Sequence, residues 1–433
     1  MPYGPKNLKI SFAAKNLTRF AGIYLMSLFI KRLRLRQLFR KHLMVMERNS
    51  KYSIAESMLA LMYPMMIGMG RIAATYLLKR NSVFHYLTGL PTYPNPTTLR
   101  RFLLRTSETA LEHFRMLHDH LLQQMVFRPH APSRVIFDLD STVLTVYGKQ
   151  ELARIGYNPA KPGRPSYHPL LCFESITKDF WHGELRSGDT HTATGTLELV
   201  KAVFEKLPAS VKTVVFRADK GFFDHKIVDL LEDRKSFYII VARATRPIKE
   251  RLSSLSYESF RSGLQASAFQ YQPHGWKEPH RFVVIRRPIP DEPNNQLTLF
   301  TLGSYSYQIF VTNLHLKPYN VWKFYNGRAA VELIIKELKA DYPLAKIPTH
   351  QFAANAFYFH LLLFSYNLIN WFKRLCLPAE FQAMTLNTLR TEFFNIPGEL
   401  VHTANRPVLK LPTNFYYKDV LNHTVKKISK LKF

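Results

Sequence analysis

Three carboxylates in this chain keep company suited to phosphate chemistry. Asp140 ends the run RVIFDLD and directly precedes Ser141 and Thr142. Asp219 ends KTVVFRAD and is followed by Lys220, Gly221 and Phe222, and Glu332 lies far downstream in YNGRAAVELIIKELK. Hard divalent cations take oxygen ligands, and Mg2+ is held by one or two carboxylates together with waters and substrate phosphate oxygens. Two such ions about 4 Å apart activate water on one side of a phosphodiester and stabilise the leaving oxygen on the other. Each acid also has a plainer reading. Asp138 and Asp140 serve equally as strand-end residues bonded to a loop, and Asp219 as the opener of the turn before Gly221. Glu332 fits a solvated helix face.

Positioning these groups is the task of the elements around them. RVIFDLDSTVLTV reads as a strand, and its alternation points Asp138 and Asp140 to the same face. LLCFESIT, GELRSGDTHT, KTVVFRAD and KSFYIIVA supply four more strands, with the helices GTLELVKAVFEKL and DHKIVDLLEDR on either side of the fourth. That order predicts a mixed α/β sheet. If the first and fourth strands are neighbours and the late helix packs across them, the three acids meet at one sheet edge. Read as one helix at about 100° per residue, Tyr325–Lys339 places Tyr325, Arg328, Glu332 and Lys339 in a stripe roughly 60° wide. Val331, Leu333, Ile334, Ile335 and Leu338 are left to face a core. Asn326 and Gly327 are a poor pair inside such a helix, costing about 1 kcal/mol at the glycine.

Around this core the chain divides into four stretches. Residues 1–130 read as helical. In LPTYPNPTTLRRFLLR, Asn95 is a cap, Pro96 suits the first helical position, and Arg100 and Arg101 stand in the first turns. Short helices followed by a capped basic helix resemble a helix-turn-helix, whose second helix enters the major groove; a solvated basic face is the simpler alternative. Residues 246–306 interrupt the sheet with prolines and the short strands ASAFQYQ, RFVVIRR and LTLFTL, which predicts a small β insertion, and YQIFVTN returns to the sheet. AANAFYFHLLLFSYNLINWFKRL is apolar nearly all round and should be buried, and residues 376–433 form a mixed tail with a basic end.

Composition narrows the partners. The 433 residues carry 60 Lys and Arg against 31 Asp and Glu, a formal charge of +29. Such an excess favours a polyanion, with nucleic acid ahead of an anionic membrane surface. Two cysteines, Cys172 and Cys376, exclude a disulfide framework and a cysteine-based zinc cluster, and fit a reducing compartment. No stretch predicts a membrane span, and no leader cleavage site is expected at the amino terminus. With no Walker-type loop or dinucleotide fingerprint, no nucleotide cofactor is expected. His168 and His191 fall in loops near the presumed site and read as hydrogen-bonded structural residues. Trp276 and Trp322 could stack on a displaced base or simply pack.

The spacing Tyr325-x2-Arg328-x3-Glu332-x6-Lys339, with GYNPAKPGRPSYHPLL and RADKGF, resembles the DDE-type transposases of bacterial insertion sequences that carry the Tyr-x2-Arg-x3-Glu-x6-Lys signature. The resemblance covers most of residues 134–375. It implies an α/β, ribonuclease-H-like mixed sheet core (131–245 and 307–375), interrupted by the all-β insertion (246–306), with a helical DNA-binding region (1–130) and a C-terminal region (376–433). It makes Asp140, Asp219 and Glu332 the catalytic ligands of two Mg2+ or Mn2+ ions, and Asp140 is preferred to Asp138 because it directly precedes Ser-Thr. Tyr325, Arg328 and Lys339 would contact phosphates near the transposon end, with Arg100 and Arg101 on DNA elsewhere. The implied activity is cleavage and strand transfer on double-stranded DNA bearing terminal inverted repeats, by a cytoplasmic, nucleoid-associated homodimer. Lys220 departs from the family's usual small residue. Two rivals share these features: a catalytically inactive DNA-binding descendant, and a nuclease on the same sheet.

Overall fold

The computed structural model describes residues 10–45, 50–126, 128, 132–260, 263–289 and 300–433. The chain forms two compact units, the first from residues 1–114, 340–349 and 353–433, the second from residues 115–339 and 350–352.

The second unit is built on a ten-stranded mixed sheet. Its first strand, β1 (Arg134–Ser141), pairs antiparallel with β2 (Leu170–Glu174), which pairs antiparallel with β3 (Phe180–Glu184). On its other side β1 runs parallel to β4 (Thr213–Ala218), and β4 runs parallel to β5 (Phe237–Val241). The crossovers are the predicted helices α1 (Thr196–Glu205) and α2 (His225–Asp233). Asp224 caps α2, accepting from the Lys226 amide at 2.9 Å.

The strands of the expected insertion extend this same sheet. β6 (Gln265–Tyr271) pairs antiparallel with β7 (His280–Pro288), β7 pairs antiparallel with β8 (Tyr305–Thr312), the strand expected to return to the sheet, and the end of β8 pairs with β5. They cover a β5 edge that would otherwise present open backbone groups. Of the predicted strand LTLFTL, Phe300–Leu302 is a strand on β8; its first half lies outside the described residues, as do 290–296.

The late helix differs from expectation. Two helices replace one, α3 (Pro318–Asn326) and α4 (Ala329–Ala340), with the break at Gly327 and Arg328. α3 seats Val321 and Tyr325 against Ile239, Val283, Ile285 and Phe310 of the sheet. On α4, Val331, Ile334, Ile335 and Leu338 are buried as expected, whereas Leu333 is 67% exposed beside Glu332. Trp322 packs against the α3 core, and Trp276 lies 5.2 Å from the Phe223 ring and 4.9 Å from His280.

In the first unit, the helix Phe352–Cys376 is almost wholly buried. Among the described residues it is the one helix long and apolar enough to cross a membrane, and 89% of its apolar window is inside the fold. Arg390 donates to the Met66 and Met65 carbonyls at 2.8 and 2.6 Å, supplying partners to the end of the helix Ile54–Met66. The helix Pro96–Leu103 begins at Asn95 with Pro96 in its first turn, although the Asn95 side chain makes no capping bond. Seven residues, 89–95, separate it from the helix Ser82–Thr88, longer than the three- or four-residue turn of a helix-turn-helix.

Candidate active site

Parallel pairing brings the two distant aspartates together. Leu139 of β1 stands opposite Ala218 of β4, so the next residues, Asp140 (still paired with Leu171 of β2) and Asp219 (just past the end of β4), stand side by side, about one strand spacing (4.8 Å) apart. Asp219 also opens the turn foreseen for it, one oxygen accepting from the Gly221 amide at 2.8 Å. Thr192 closes over that turn, and a Cβ on Gly221 would lie 2.8 Å from its methyl group. The Lys220 side chain is exposed.

Asp140 is 9% exposed and accepts from the Ser141 amide at 2.8 Å. Burial pushes its carboxyl up to about 6; the Arg328 guanidinium opposes that rise, and the Asp219 and Glu332 carboxylates add to it. Arg328, placed by the helix break, turns back onto β1. Its Nη2 lies 3.1 Å from Asp140 Oδ1 and donates to the Leu139 carbonyl at 3.0 Å, while Nη1 reaches Glu332 Oε1 at 3.4 Å. One guanidinium therefore spans two of the three candidate acids. Burial works against its charge, yet Asp140, Tyr325, Asp219 and Asp138 outweigh burial and hold it above its ordinary value. Its Nε is buried and has no hydrogen-bond partner among the described residues.

The four signature residues thus divide. Tyr325 and Arg328 are buried; Glu332 and Lys339 are exposed. The Tyr325 ring lies 4.8 Å from Phe310, and burial pushes its hydroxyl up to about 12. Although Lys339 is exposed as a residue, partial desolvation of its ammonium pulls it below its usual range, while Asp140 acts to raise it. Arg100 and Arg101 belong to the first unit, on the helix Pro96–Leu103, where this short helix places them in its last turn and not in the first turns as expected.

Asp138 has a different partner. In register with Arg217, it takes a bidentate pair, Oδ1 from Nε at 2.7 Å and Oδ2 from Nη2 at 2.8 Å. Arg217 also donates to the Ser175 hydroxyl at 2.6 Å and to the Phe324 carbonyl at 2.8 Å, at the end of α3. A Cβ on Gly327 would sit 2.5 Å from Arg217 Nη1, so the glycine is what lets the helix break close over the guanidinium. Arg217 is the positioning residue the sequence reading passed over. The signal was available in the strand alternation that set Arg217 and Asp219 on one face of KTVVFRAD, as it set Asp138 and Asp140.

His168 is a tether, its Nδ1 2.9 Å from the Thr190 carbonyl and its Nε2 3.1 Å from the hydroxyl of Ser141, next to Asp140. Burial lowers its basicity. His191 Nδ1 accepts from the Ala193 amide at 3.2 Å, a local loop bond.

The oxygen chemistry of Asp140 and Asp219 suits a hard divalent cation, and their mutual repulsion would be relieved by one. Among the described residues, however, no three His, Cys, Asp or Glu side chains close into a ready cage. Glu332 is engaged by Arg328 rather than by a shared centre with the aspartates.

Residues 2–433 match the family model described as transposase DDE domain group 1. No curated protein matches the chain. Among solved structures it is similar to a piggyBac transposase in a cryo-EM synaptic complex with hairpin DNA, at 13% identity and a TM-score of 0.48, covering 97% of this chain and 85% of that one. With essentially its whole length matched, this chain belongs to the transposase DDE domain group 1 family.

Proposed function

We propose that this chain is a metal-dependent transposase of a bacterial insertion sequence, with a ribonuclease-H-like core. It binds the element's terminal inverted repeats and cuts and joins DNA, working as a homodimer on paired ends. Asp140, Asp219 and Glu332 are the ligands for two Mg2+ or Mn2+ ions. The observation that carries this reading is the register of β1 against β4, in which Leu139 and Ala218 are opposite and are each followed by an aspartate, with Arg328 linking Asp140 to Glu332.

Divalent ions, when bound, supply activation of a water or 3′-hydroxyl nucleophile and neutralise charge on the scissile phosphate. The chain's own residues do the rest. Without DNA, Arg328 offsets the charge of Asp140 and Glu332. On DNA its guanidinium turns to a phosphate of the transposon end, a bidentate partner of the same shape as a carboxylate. That exchange frees both acids. Lys339 adds a cation near Asp140, and the Tyr325 hydroxyl, on a ring already packed in place, contributes orientation. Arg100 and Arg101 hold DNA at the first unit.

Asp219→Asn tests the reading. With Mg2+ and DNA carrying the element's ends, the variant should lose strand nicking to the level of a protein-free control while retaining end binding. Nicking that survives removes Asp219 from the site. Cutting by the wild type without end sequence, and without joining of a 3′-hydroxyl to a target, would make it a nuclease instead.

A further inference from the structure

The first unit holds a cavity of about 1260 Å³, of whose lining the proposed function uses Arg101 alone. Among the described residues its lining comes from residues 50–107 and includes five cations, Lys51, Lys79, Arg80, Arg101 and Arg105, with no Asp or Glu. Among the described residues none of the five has an ion-pair partner, and Arg105 Nε is buried with no hydrogen-bond acceptor. Five cations facing one concavity repel each other unless an anion joins them.

The wall that carries them is built rather than loose. Tyr52 Oη lies 2.9 Å from the Thr92 hydroxyl, His85 Nε2 lies 2.7 Å from the Leu78 carbonyl, and Tyr93 donates to the Ala60 carbonyl. Ser53 and Glu56 form a reciprocal capping box beside Tyr52. Asn95 and Thr98, from the start of the helix Pro96–Leu103, belong to the same wall. The cavity exceeds the roughly 300–1,000 Å³ of a small-molecule pocket. Its lining residues bring cations and hydroxyls together, the donors that bind phosphate oxygens.

We propose that this cavity is a seat for the sugar–phosphate backbone of DNA, which positions the duplex without reading its bases. The inference rests on the reading that the chain acts on DNA, and it changes what the basic helix does there. A recognition helix projects its first turn into a major groove about 12 Å wide. Here the start of the helix (Asn95 and Thr98) and Arg101 in its last turn both line a concave wall, so the backbone comes in to Arg101 and the helix does not go out to the bases. Phosphate contacts set register and affinity and carry no sequence information.

The test measures binding of the full chain to two labelled duplexes, the DNA flanking its coding region and a random sequence, over a salt series. In Lys79→Gln/Arg80→Gln/Arg101→Gln, affinity for both duplexes should fall by the same factor. The slope of log K against log salt should become shallower by about 2–3, close to 0.9 per lost phosphate contact. Lys426→Gln/Lys427→Gln/Lys430→Gln on the terminal helix makes the same change in charge elsewhere and should leave the slope nearer wild type. Equal slope loss in both variants overturns the proposal, as does an unchanged slope in the cavity variant. Loss confined to the flanking DNA overturns it too, since the cavity would then be reading sequence. If Asp219→Asn still abolishes nicking while the cavity slope is unmoved, the proposed function stands and the cavity seat falls. A wild type that binds neither duplex sinks both.

Discussion

Two aspartate–arginine pairs sit two residues apart on one face of β1, and they are finished differently. Asp138 and Arg217 are 1% and 3% exposed at the side chain, and all three guanidinium nitrogens and both carboxylate oxygens are used. Asp140 and Arg328 meet through one nitrogen at 3.1 Å, Arg328 Nε has no partner among the described residues, and its other arm stretches 3.4 Å to an exposed Glu332. The first pair is saturated and holds the end of α3 to the sheet. The second keeps unmet bonding capacity and stored repulsion, as a site does that must exchange one partner for another. The same two residue types therefore give a structural clamp and a candidate reaction centre according to how many of their bonds are closed.

The largest expected effect comes from breaking the clamp. Arg217→Ala leaves the Asp138 carboxylate buried and unpaired and frees the Phe324 carbonyl, at a cost of about 3–5 kcal/mol. A denaturant melt that shows a loss below about 1 kcal/mol would mean that Asp138 is neutral or that water reaches it. Burial already pushes the Asp138 carboxyl upward against the pull of Arg217, so the clamp depends on the arginine staying in place.

Asp140→Asn should act in the opposite direction. The Asp140 carboxyl is pushed up to about 6 in the folded chain, against an unfolded value near 3.9. The folded chain therefore binds this proton more tightly. The stabilisation that follows is complete below about pH 4 and lost as the pH rises through about 6. At pH 7 in metal-free buffer the ionised carboxylate is a burden, and the asparagine variant should be more stable than wild type by about 1–3 kcal/mol. That gap should close as the pH is lowered toward 4, while nicking is lost at every pH. A variant less stable than wild type at neutral pH would show that Asp140 supports the fold in the manner of Asp138, and the contrast between the pairs would disappear.

Much of this arrangement was legible in the sequence because it is local. Alternation along RVIFDLD put Asp138 and Asp140 on one face, and Asp219 closed its strand before the turn that Gly221 requires. The mixed sheet followed from the order of its strands and helices. What was hidden depends on contacts between distant segments. Nothing near Arg217 announces that Asp138 will stand opposite it, because interstrand register is set by the whole sheet. The insertion reads as a separate β patch for the same reason: pairing of β7 with β8, the strand expected to return to the sheet, is not written in either strand alone. Leu333 was assigned to a core by helical spacing, but the break before Arg328 starts a new helix whose phase is set by its own packing, and the side chain is exposed.

Gly327 carries the smallest expected effect and separates the two explanations of the break. If the glycine simply weakens a helix, Gly327→Ala should gain up to about 1 kcal/mol, since its φ of −59° suits any residue. If it is there to admit Arg217, the new Cβ meets Nη1 at 2.5 Å, and the guanidinium must yield its bond to the Phe324 carbonyl. The net result in the wild-type background is then a loss of about 1 kcal/mol. In an Arg217→Met background the obstruction is gone and the same substitution should become neutral or stabilising. A double-mutant cycle therefore reads a coupling of about 1–2 kcal/mol between positions 110 residues apart in sequence, which propensity alone cannot produce. Zero coupling would assign the break to the local weakness of Asn326-Gly327 and leave Arg217 as the partner of Asp138 alone.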